Sequence, residues 1–363
     1  MKRLVALSLL IVSTSISPDL KADDDTCASE HGFSYLCDVP SAEDLVQIPG
    51  TSWLVASGFS GGISLNLIDV GARSLRPFYP SEVSAARHDA QMYPDCPEAP
   101  EPDAFVSHGL HVRATGEDTS LLYVVGHGAR ETIEIFEIDS SADVPGIAWV
   151  GCVFTPDGMA ANSVTSMSDG SILATIPLHT GIEISDIFLT SGGATGAAYA
   201  WSPGDKTLAK IVGTEMSYAN GIEVSEDESR FLIASSGHQK IFAFSNENPA
   251  KLLGTSGPMD IIPDNLHRDS SGRMITAGLS IVDPFCGDVA LDKPFDLEAF
   301  ASCHRPFSVV SVDPSTLALE EIAGSPAHTH FSNVTMALEV DGELWIGTFA
   351  GDRVAYRSIK ASP

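Results

Sequence analysis

Residues 218–235 read YANGIEVSEDESRFLIAS, and this stretch holds one copy of a pattern that recurs along the chain. In each copy a short polar residue, here Asn220, precedes an apolar segment. A turn follows, and a second apolar segment, here Arg230–Ser235, completes the unit. The pattern occurs six times, and its polar residues are Glu43, His108, Asn162, Asn220, Asn265 and Thr335. Such repeats are the first feature to seek because they decide the architecture.

The apolar segments between the turns have the length and composition of β-strands. They are short, rich in Val, Ile, Leu and Phe, and separated by Gly, Asp, Asn, Ser and Pro, as expected for strands joined by tight reversals. Asp169-Gly170 and Asp341-Gly342 favour hairpin turns. Six hairpin-based copies predict an all-β protein, a six-bladed β-propeller with a central channel. A β-sandwich offers no reason for a polar residue to recur at the same strand position six times.

The first 22 residues have the features of a secretory signal. A basic start precedes the apolar stretch Leu4–Ile16, and Leu20-Lys21-Ala22 resembles a cleavage site. The stretch is too short and too rich in Ser and Thr to span a bilayer comfortably. We therefore expect a signal peptide over residues 1–22, one propeller domain over residues 23–363, no transmembrane segment, and an exported protein, periplasmic or secreted.

The formal net charge of −28 restricts the partners of the chain. Nucleic acids and anionic membranes require basic surface, so neither is expected to bind. The charge favours cations and neutral or cationic small molecules, although most carboxylates of a globular protein are simply solvated surface.

The six cysteines indicate disulfides, because an even count behind an export signal is typical of them. Cys286 and Cys303 bracket a long insertion, Phe285–Pro306, and form the first expected pair. The sequence leaves other pairings open, and the next choices are Cys27 with Cys37 and Cys96 with Cys152. The segments Pro80–Pro102 and Ser191–Ala200, like the insertion, are predicted to be loops.

Equivalent positions of a closed repeat array meet around its axis, so the six polar residues predict a ring in the channel. Buried polar groups need partners, and carboxylate and amide oxygens suit calcium, which takes about six to eight of them. Two carboxylates would neutralise the ion. The predicted ligands are Glu43, Asn162, Asn220, Asp264 and Asn265. Each residue taken alone also has a purely structural explanation. Asn220 before Gly221 is typical of a turn, Asn162 could cap a strand, and Glu43 could be a surface acid exposed to solvent.

Two histidines belong to the second copy of the repeat. His108 lies in the ring, and His127 ends the strand that follows it. Two imidazoles in contact beside a metal can act as a general base and its proton relay, since histidine exchanges protons near neutral pH. The alternative is that His127 is a turn residue and His108 a hydrogen-bonded core histidine.

At these residues the chain resembles the calcium-dependent paraoxonase/arylesterase family, within the wider class of senescence-marker and gluconolactonase-like six-bladed propellers. The similarity runs from Glu43 to the last blade. The stretches that carry it are Ser107–Leu110, Leu121–Phe136 (LLYVVGHGARETIEIF), Tyr218–Ile222, Pro263–Asn265 and Leu344–Thr348.

The resemblance implies specific roles for the residues already singled out. The five oxygen residues named above match the ligands of a catalytic calcium, His108 matches the base, and His127 its proton-shuttling partner. A second, structural calcium would use Asp44 and the carbonyl of Leu110. Ser163 stands where the family has an acidic ligand, so we expect this second site to be incomplete. The family's closing disulfide also lacks its C-terminal cysteine, because Ala355-Tyr356-Arg357 stands there, so closure must rest on strand pairing.

The function expected from these features is hydrolysis of a lactone or aryl ester. Calcium would stabilise the oxyanion, His108 and His127 would move the proton, and residues around Tyr218 and Phe349 would hold the substrate. A variant in which Asp264 is the base or nucleophile stays open. So does a non-catalytic propeller that holds calcium and binds a ligand or protein partner.

A serine-esterase interpretation rests on one match, G-x-S-x-G over residues 58–62. That motif works on a strand-to-helix elbow, whereas the strand-like segment that follows predicts a hairpin turn.

Overall fold

The computed structural model describes residues 27–59, 64–82, 84–187, 193–289 and 294–359. Its strands form six sheets whose strands follow one another in sequence, the arrangement of a six-bladed β-propeller. This confirms the predicted all-β propeller. The signal-peptide prediction concerns residues outside the described ranges.

The chain enters the fold through an outer strand and then builds the first three blades in order. The entering strand is β1 (Ser34–Cys37), which belongs to the last blade. Blade 1 contains β2 (Leu45–Gln47), β3 (Trp53–Ser57), β4 (Leu65–Asp69) and β5 (Ser74–Tyr79). Blade 2 contains β6 (Ser84–Ala86), β7 (Phe105–Ala114), β8 (Thr119–Gly128), β9 (Thr132–Asp139) and β10 (Gly146–Phe154). Blade 3 contains β11 (Val164–Ser166), β12 (Ile172–Ile176), β13 (Ala197–Trp201) and β14 (Ala209–Lys210).

The remaining three blades repeat the plan, and the last one uses both ends of the described chain. Blade 4 contains β15 (Ala219–Val224), β16 (Arg230–Ser235), β17 (Lys240–Ser245) and β18 (Leu252–Thr255). Blade 5 contains β19 (Leu266–Arg268), β20 (Met274–Leu279), β21 (Phe307–Val312) and β22 (Leu319–Ser325). Blade 6 contains β23 (Val334–Val340), β24 (Glu343–Thr348), β25 (Arg353–Ser358) and, outermost, β1. The short helix α1 (Leu297–Ser302) lies between β20 and β21, and 3-10 turns cover Pro102–Ala104 and Ile184–Asp186.

Strand pairing closes the circle of six blades. Strand β1 pairs antiparallel with β25, with Tyr35 opposite Ala355, so the expected closure without the family's disulfide is confirmed. The three cystines of the structure are Cys27–Cys37, Cys96–Cys152 and Cys286–Cys303. These are the expected pairs, and none of them joins β1 to β25.

The loop predictions need two corrections. Strand β6 lies within Pro80–Pro102, where it pairs in parallel with the outer strand β10; an edge position tolerates neighbouring prolines. Ala197–Ala200, three alanines and a tyrosine, belong to β13 instead of a loop. They are mostly buried, and their packing between neighbouring strands overrides their weak strand propensity. Within Phe285–Pro306 the described residues include α1, whose N-cap Asp296 accepts a hydrogen bond from Ala299 N.

The serine-esterase motif is flanked by paired strands. β3 and β4 pair antiparallel, with Ser57 opposite Leu65. The element that follows the motif is therefore a strand, whereas the motif would need a helix there. Ser60 itself lies outside the described residues.

A buried histidine fastens the closing strand to its neighbours. His328, which its loop sequence suggests to be surface, is 2% exposed. Its Nδ1 contacts the hydroxyl of Tyr35 on β1, and its Nε2 lies 2.6 Å from Ser325 Oγ at the end of β22. Burial lowers the pKa of His328 to about 4, despite the nearby Glu30 carboxylate. The folded protein therefore favours the neutral form of the His328 imidazole.

We expect the stability of the protein to fall as the pH is lowered from about 6.5 to about 4. In this range the unfolded chain binds a proton at His328 that the folded chain does not. His328→Gln should flatten that pH dependence. It should also lower the free energy of unfolding at pH 7 by about 1–3 kcal/mol, because polar partners lose their bonds. Chemical denaturation across this pH range measures both effects, with His330→Gln at an exposed site as control. Equal pH dependence in wild type and His328→Gln would contradict the assignment.

Candidate functional site

The six polar residues of the repeat lie at the entrance of the innermost strands. His108, Asn220 and Thr335 belong to β7, β15 and β23, whereas Glu43, Asn162 and Asn265 come one or two residues before β2, β11 and β19. Register shifts occur at Ser107/Leu110, Ala219/Ile222 and Val334/Met336. A β-bulge re-aims a side chain, so the bulges turn three of the six residues relative to the regular pleat.

These residues surround one cavity of about 180 Å³. Glu43, His108, Asn162, Asn220 and Thr335 line it, together with Asp264. Asn265 lies directly behind, where its Nδ2 donates to the carbonyl oxygen of Glu43 at 3.2 Å and to Glu43 Oε1 at 2.7 Å. The structure thus brings the whole predicted ring together.

Two glycines of the pattern are required by close approach of neighbouring inner strands. A Cβ on Gly109 would lie 2.5 Å from Asn162 O, and one on Gly221 would lie 2.4 Å from Leu266 N. Contacts this short exclude any side chain. The Asn220-Gly221 pair is therefore a strand feature of the ring, which removes its interpretation as a turn.

Four oxygens of the ring are buried without a hydrogen-bond partner: Glu43 Oε2, Asn162 Oδ1, Asn220 Oδ1 and Asn265 Oδ1. The amide nitrogen of Asn220 donates to Ser236 Oγ at 3.0 Å, which together with the bonds of Asn265 directs the amide oxygens elsewhere. Buried polar atoms are normally satisfied. This set of oxygens is therefore the donor set that a hard cation such as calcium would satisfy.

Asp264 adds a second carboxylate to the same place. Burial, followed by the nearby Glu43 carboxylate, raises its pKa well above the ordinary value. Two acids enclosed together are unfavourable unless a cation lies between them. The residues present consequently fit a divalent cation in both charge and ligand type.

The two predicted histidines are in contact. His108 Nδ1 lies 3.0 Å from His127 Nε2, and His108 Nε2 lies 3.5 Å from Glu43 Oε1. The ring of Phe59 packs on His108 with 4.3 Å between centroids. One imidazole therefore faces the cluster of oxygens, and the second lies behind it, away from them.

A carboxylate that the sequence did not suggest contacts the second histidine of this pair. Glu131 Oε2 lies 2.6 Å from His127 Nδ1. Its signal in the sequence is an acid four residues after His127 across a tight hairpin, which becomes meaningful only when the turn is known.

Asp44 and Leu110, the residues predicted for a second metal site, lie in contact with each other and with a buried histidine. Asp44 Oδ2 accepts the Leu110 N–H at 2.7 Å, and its Oδ1 lies 2.5 Å from His267 Nε2. Although burial opposes it, the Asp44 carboxylate raises the pKa of His267 above the ordinary value. An imidazole thus occupies the carboxylate that a structural calcium would need, and Ser163 supplies no charge. These residues do not fit a second divalent ion.

Another group with metal-ligand atoms has a different explanation. Cys96, Glu134 and Cys152 lie close together, but both sulfurs belong to one disulfide. Glu134 accepts hydrogen bonds from Thr132, Arg130 and Trp149, so no ligand atom is free there.

The upper wall of the cavity is apolar. It includes Tyr218 and Phe349, the two predicted pocket residues, and also Phe59, Ile184, Ile187, Ile262, Phe295, Leu297 and Phe300. Phe295, Leu297 and Phe300 come from the insertion tied by Cys286–Cys303, and Phe295 N donates to Ser185 O at 2.9 Å. The insertion is thereby held against blade 3 and narrows access to the ring.

Comparison with solved structures agrees with this architecture. A protein provisionally named a gluconolactonase matches with 14% identity over 91% of this chain and 93% of that one, at a TM-score of 0.53. A calcium-binding protein, regucalcin from Agrobacterium tumefaciens, matches with 11% identity over 90% and 93%, also at 0.53. The chain has the fold of the gluconolactonase- and regucalcin-like propellers. A luciferin-regenerating enzyme matches with 10% identity over 90% and 97%, at 0.51. No protein-family model and no curated protein sequence matches.

We expect Asp264→Asn to stabilise the protein once EDTA has removed metal. The amide keeps the shape of the carboxylate and removes one of two repelling buried acids. The melting temperature of the EDTA-treated variant at pH 8 should exceed that of treated wild type by at least about 2 °C. Asp260→Asn, at an exposed carboxylate, is the matched control. A lower melting temperature for Asp264→Asn would show that the carboxylate has a structural role instead.

Proposed function

We propose that the protein is a calcium-dependent carboxylic-ester hydrolase that opens lactones, cleaves aryl esters, or does both. The observation that carries the proposal is the meeting of two features in one cavity. Four unpartnered buried oxygens lie at or directly behind its wall, and a histidine pair adjoins them. The resemblance to the paraoxonase/arylesterase family and the shared fold with a gluconolactonase-like protein support the same reaction class.

The cation would be held by Glu43, Asn162, Asn220, Asp264 and Asn265, and calcium bound there would stabilise negative charge on the carbonyl oxygen of the substrate. The chain supplies the rest of the chemistry. Glu43 and Asp264 match the double charge of the ion. Because His267 already contacts the Asp44 carboxylate, we propose one calcium per chain instead of two.

His108 provides the base. Its Nε2 faces the ring of oxygens, where it takes a proton from the attacking water as oxygen bonds to the carbonyl carbon. The Nδ1 proton of His108 passes to His127 Nε2 across the 3.0 Å contact. The bond between the carbonyl carbon and the leaving oxygen then breaks, and the alkoxide takes the proton from His108 Nε2. His127 Nε2 returns its proton to His108 Nδ1, which restores the starting state of the pair.

We expect the apolar wall of the cavity to determine which substrates bind. Aromatic and aliphatic side chains cover the cavity above the ring, and the net charge of −28 repels anions. Both favour neutral substrates whose acyl or aryl part is apolar. Among the described residues no helix has the length and hydrophobicity to cross a bilayer. The three disulfides support the export that we propose, because cystines persist in oxidising compartments.

The alternative function is a propeller that holds calcium and binds a ligand or protein partner without catalysis. The His108–His127 contact favours the hydrolase, because a purely structural cation site has no need of a proton relay beside it. A calcium-loaded protein that is inert toward γ- and δ-lactones, acyl-homoserine lactones and phenyl acetate would favour the alternative.

Removal of metal should abolish hydrolysis. We expect EDTA to remove activity on this substrate panel and added calcium to restore it, with isothermal titration giving one calcium per chain. Calcium should also raise the melting temperature, by mass action on the folded state. Full activity in EDTA would overturn the role of the metal, and a stoichiometry of two would overturn the assignment of His267.

Loss of either histidine should lower turnover more than binding. His108→Gln and His127→Gln are expected to reduce kcat by roughly 10²–10⁴-fold, the usual contribution of a general base, while calcium binding persists. His330→Gln is the control for substitution at an exposed histidine. Undiminished activity in both variants would show that the pair is not the base.

A further inference from the structure

Behind the histidine pair, on the side away from the cavity, lies the carboxylate of Glu131. We propose that Glu131 is a positioning residue that fixes the protonation pattern of both histidines; the inference rests on the proposed hydrolase function. Its Oε2 lies 2.6 Å from His127 Nδ1, and it has no place among the cavity-lining residues. It therefore acts through His127 and touches no substrate.

The hydrogen-bonding capacities of the three groups allow one productive arrangement. An ionised carboxylate only accepts, so His127 must carry its proton on Nδ1, and its Nε2 is then an acceptor. The contact between His127 Nε2 and His108 Nδ1 at 3.0 Å in turn requires the proton of His108 on Nδ1. The lone pair of His108 Nε2 is consequently left facing the oxygen ring, where a base is needed.

The chain builds a rigid turn to hold this carboxylate. Gly128 has φ +109°, and a Cβ there would lie 1.8 Å from Ala104 O, so only glycine permits the turn between β8 and β9. Ala129 N also donates to Ala104 O at 3.2 Å. The backbone oxygen of Glu131 accepts from both the amide and the hydroxyl of Thr155, each at 3.2 Å. Glu131 is thus anchored by its backbone from a neighbouring strand.

Other charged groups nearby are already engaged elsewhere. Arg130, next to Glu131, pairs with Glu134 at 2.7 Å and donates to Glu98 O at 2.9 Å. Glu134 also accepts from Trp149 Nε1 at 2.8 Å. Glu98 and Glu101 line the outer pocket beside His127. Among these acids, Glu131 is the one whose carboxylate contacts the imidazole.

The role is compatible with the proton balance of the reaction. His127 gains a proton on Nε2 as His108 loses one from Nδ1, and the resulting imidazolium is stabilised by the Glu131 carboxylate, which keeps its charge. An isolated exposed ion pair contributes little. This one differs because only 17% of the His127 side chain is exposed, against 37% for Glu131. The imidazole end of the contact is thus largely shielded from water.

The test compares Glu131→Gln with Glu98→Gln in the calcium-loaded protein. Gln has nearly the shape of Glu but can also donate to His127, so it no longer imposes one tautomer. Glu98→Gln removes an equal charge from the outer pocket beside His127 without altering a contact of the imidazole. We expect Glu131→Gln to lower kcat at least about tenfold, part of the contribution of a general base, with KM changed less than about twofold. Glu98→Gln should behave as wild type.

A second measurement does not depend on activity. Nitrogen-15 shifts of His127 should show one tautomer, protonated on Nδ1, in wild type and Glu98→Gln, and a mixture in Glu131→Gln at an unchanged melting temperature. Unaltered tautomers and kcat in Glu131→Gln would overturn the role of Glu131. If His108→Gln and His127→Gln also kept full activity, the hydrolase mechanism would fail as well, so the two failures are distinguishable.

Discussion

The structure depends on a closed circle of hydrogen bonds between the innermost strands. Leu110 N donates to Asp44, Gly109 N to Asn162 O, Gly221 N to Asp264 O, and Asn265 N to Thr335 O. Thr335 Oγ1 donates to Glu43 O at 2.6 Å and Ile222 N to Ser163 Oγ at 3.3 Å, which links all six blades in turn. Each blade is bonded to the next at the place where its polar side chain enters the channel. Thr335, which the sequence left without a role, is therefore a tie between blades 6 and 1.

This circle explains why a site that is unfavourable by itself can persist. Glu43, Asp264 and three amides are enclosed with oxygens that lack partners, an arrangement disfavoured in a protein interior. The protein tolerates the free-energy cost of burying these groups because strand pairing and the circle of hydrogen bonds between the blades fix the backbone that carries them. For the cation proposed to bind there, the ring is therefore already in place, and binding would lose little to rearrangement. Strand pairing within the blades fixes the positions of the polar groups to which the proposed function assigns the chemistry.

The repeat made the architecture and the ring predictable, because both follow from local patterns that recur. The polar residue, the following glycine at His108-Gly109 and Asn220-Gly221, and the strand anchors are all readable in sequence. Glu131 and His267 were not predictable in the same way. Glu131 meets His127 through a turn whose geometry depends on contact between Gly128 and Ala104. His267 meets Asp44, 223 positions away, and such pairings appear only in three dimensions.

The two carboxylates that are neighbours in sequence, Glu43 and Asp44, lie in different surroundings. Glu43 keeps an unpartnered oxygen and faces the cavity, whereas Asp44 is bonded to Leu45 N, Leu110 N and His267. Successive residues point to different sides of an extended backbone, so neighbouring acids enter different surroundings. The surroundings of Glu43 leave room for a cation, and those of Asp44 already contain the imidazole of His267. The chain itself thus satisfies the Asp44 carboxylate, whereas one oxygen of Glu43 is left for the cation that we propose.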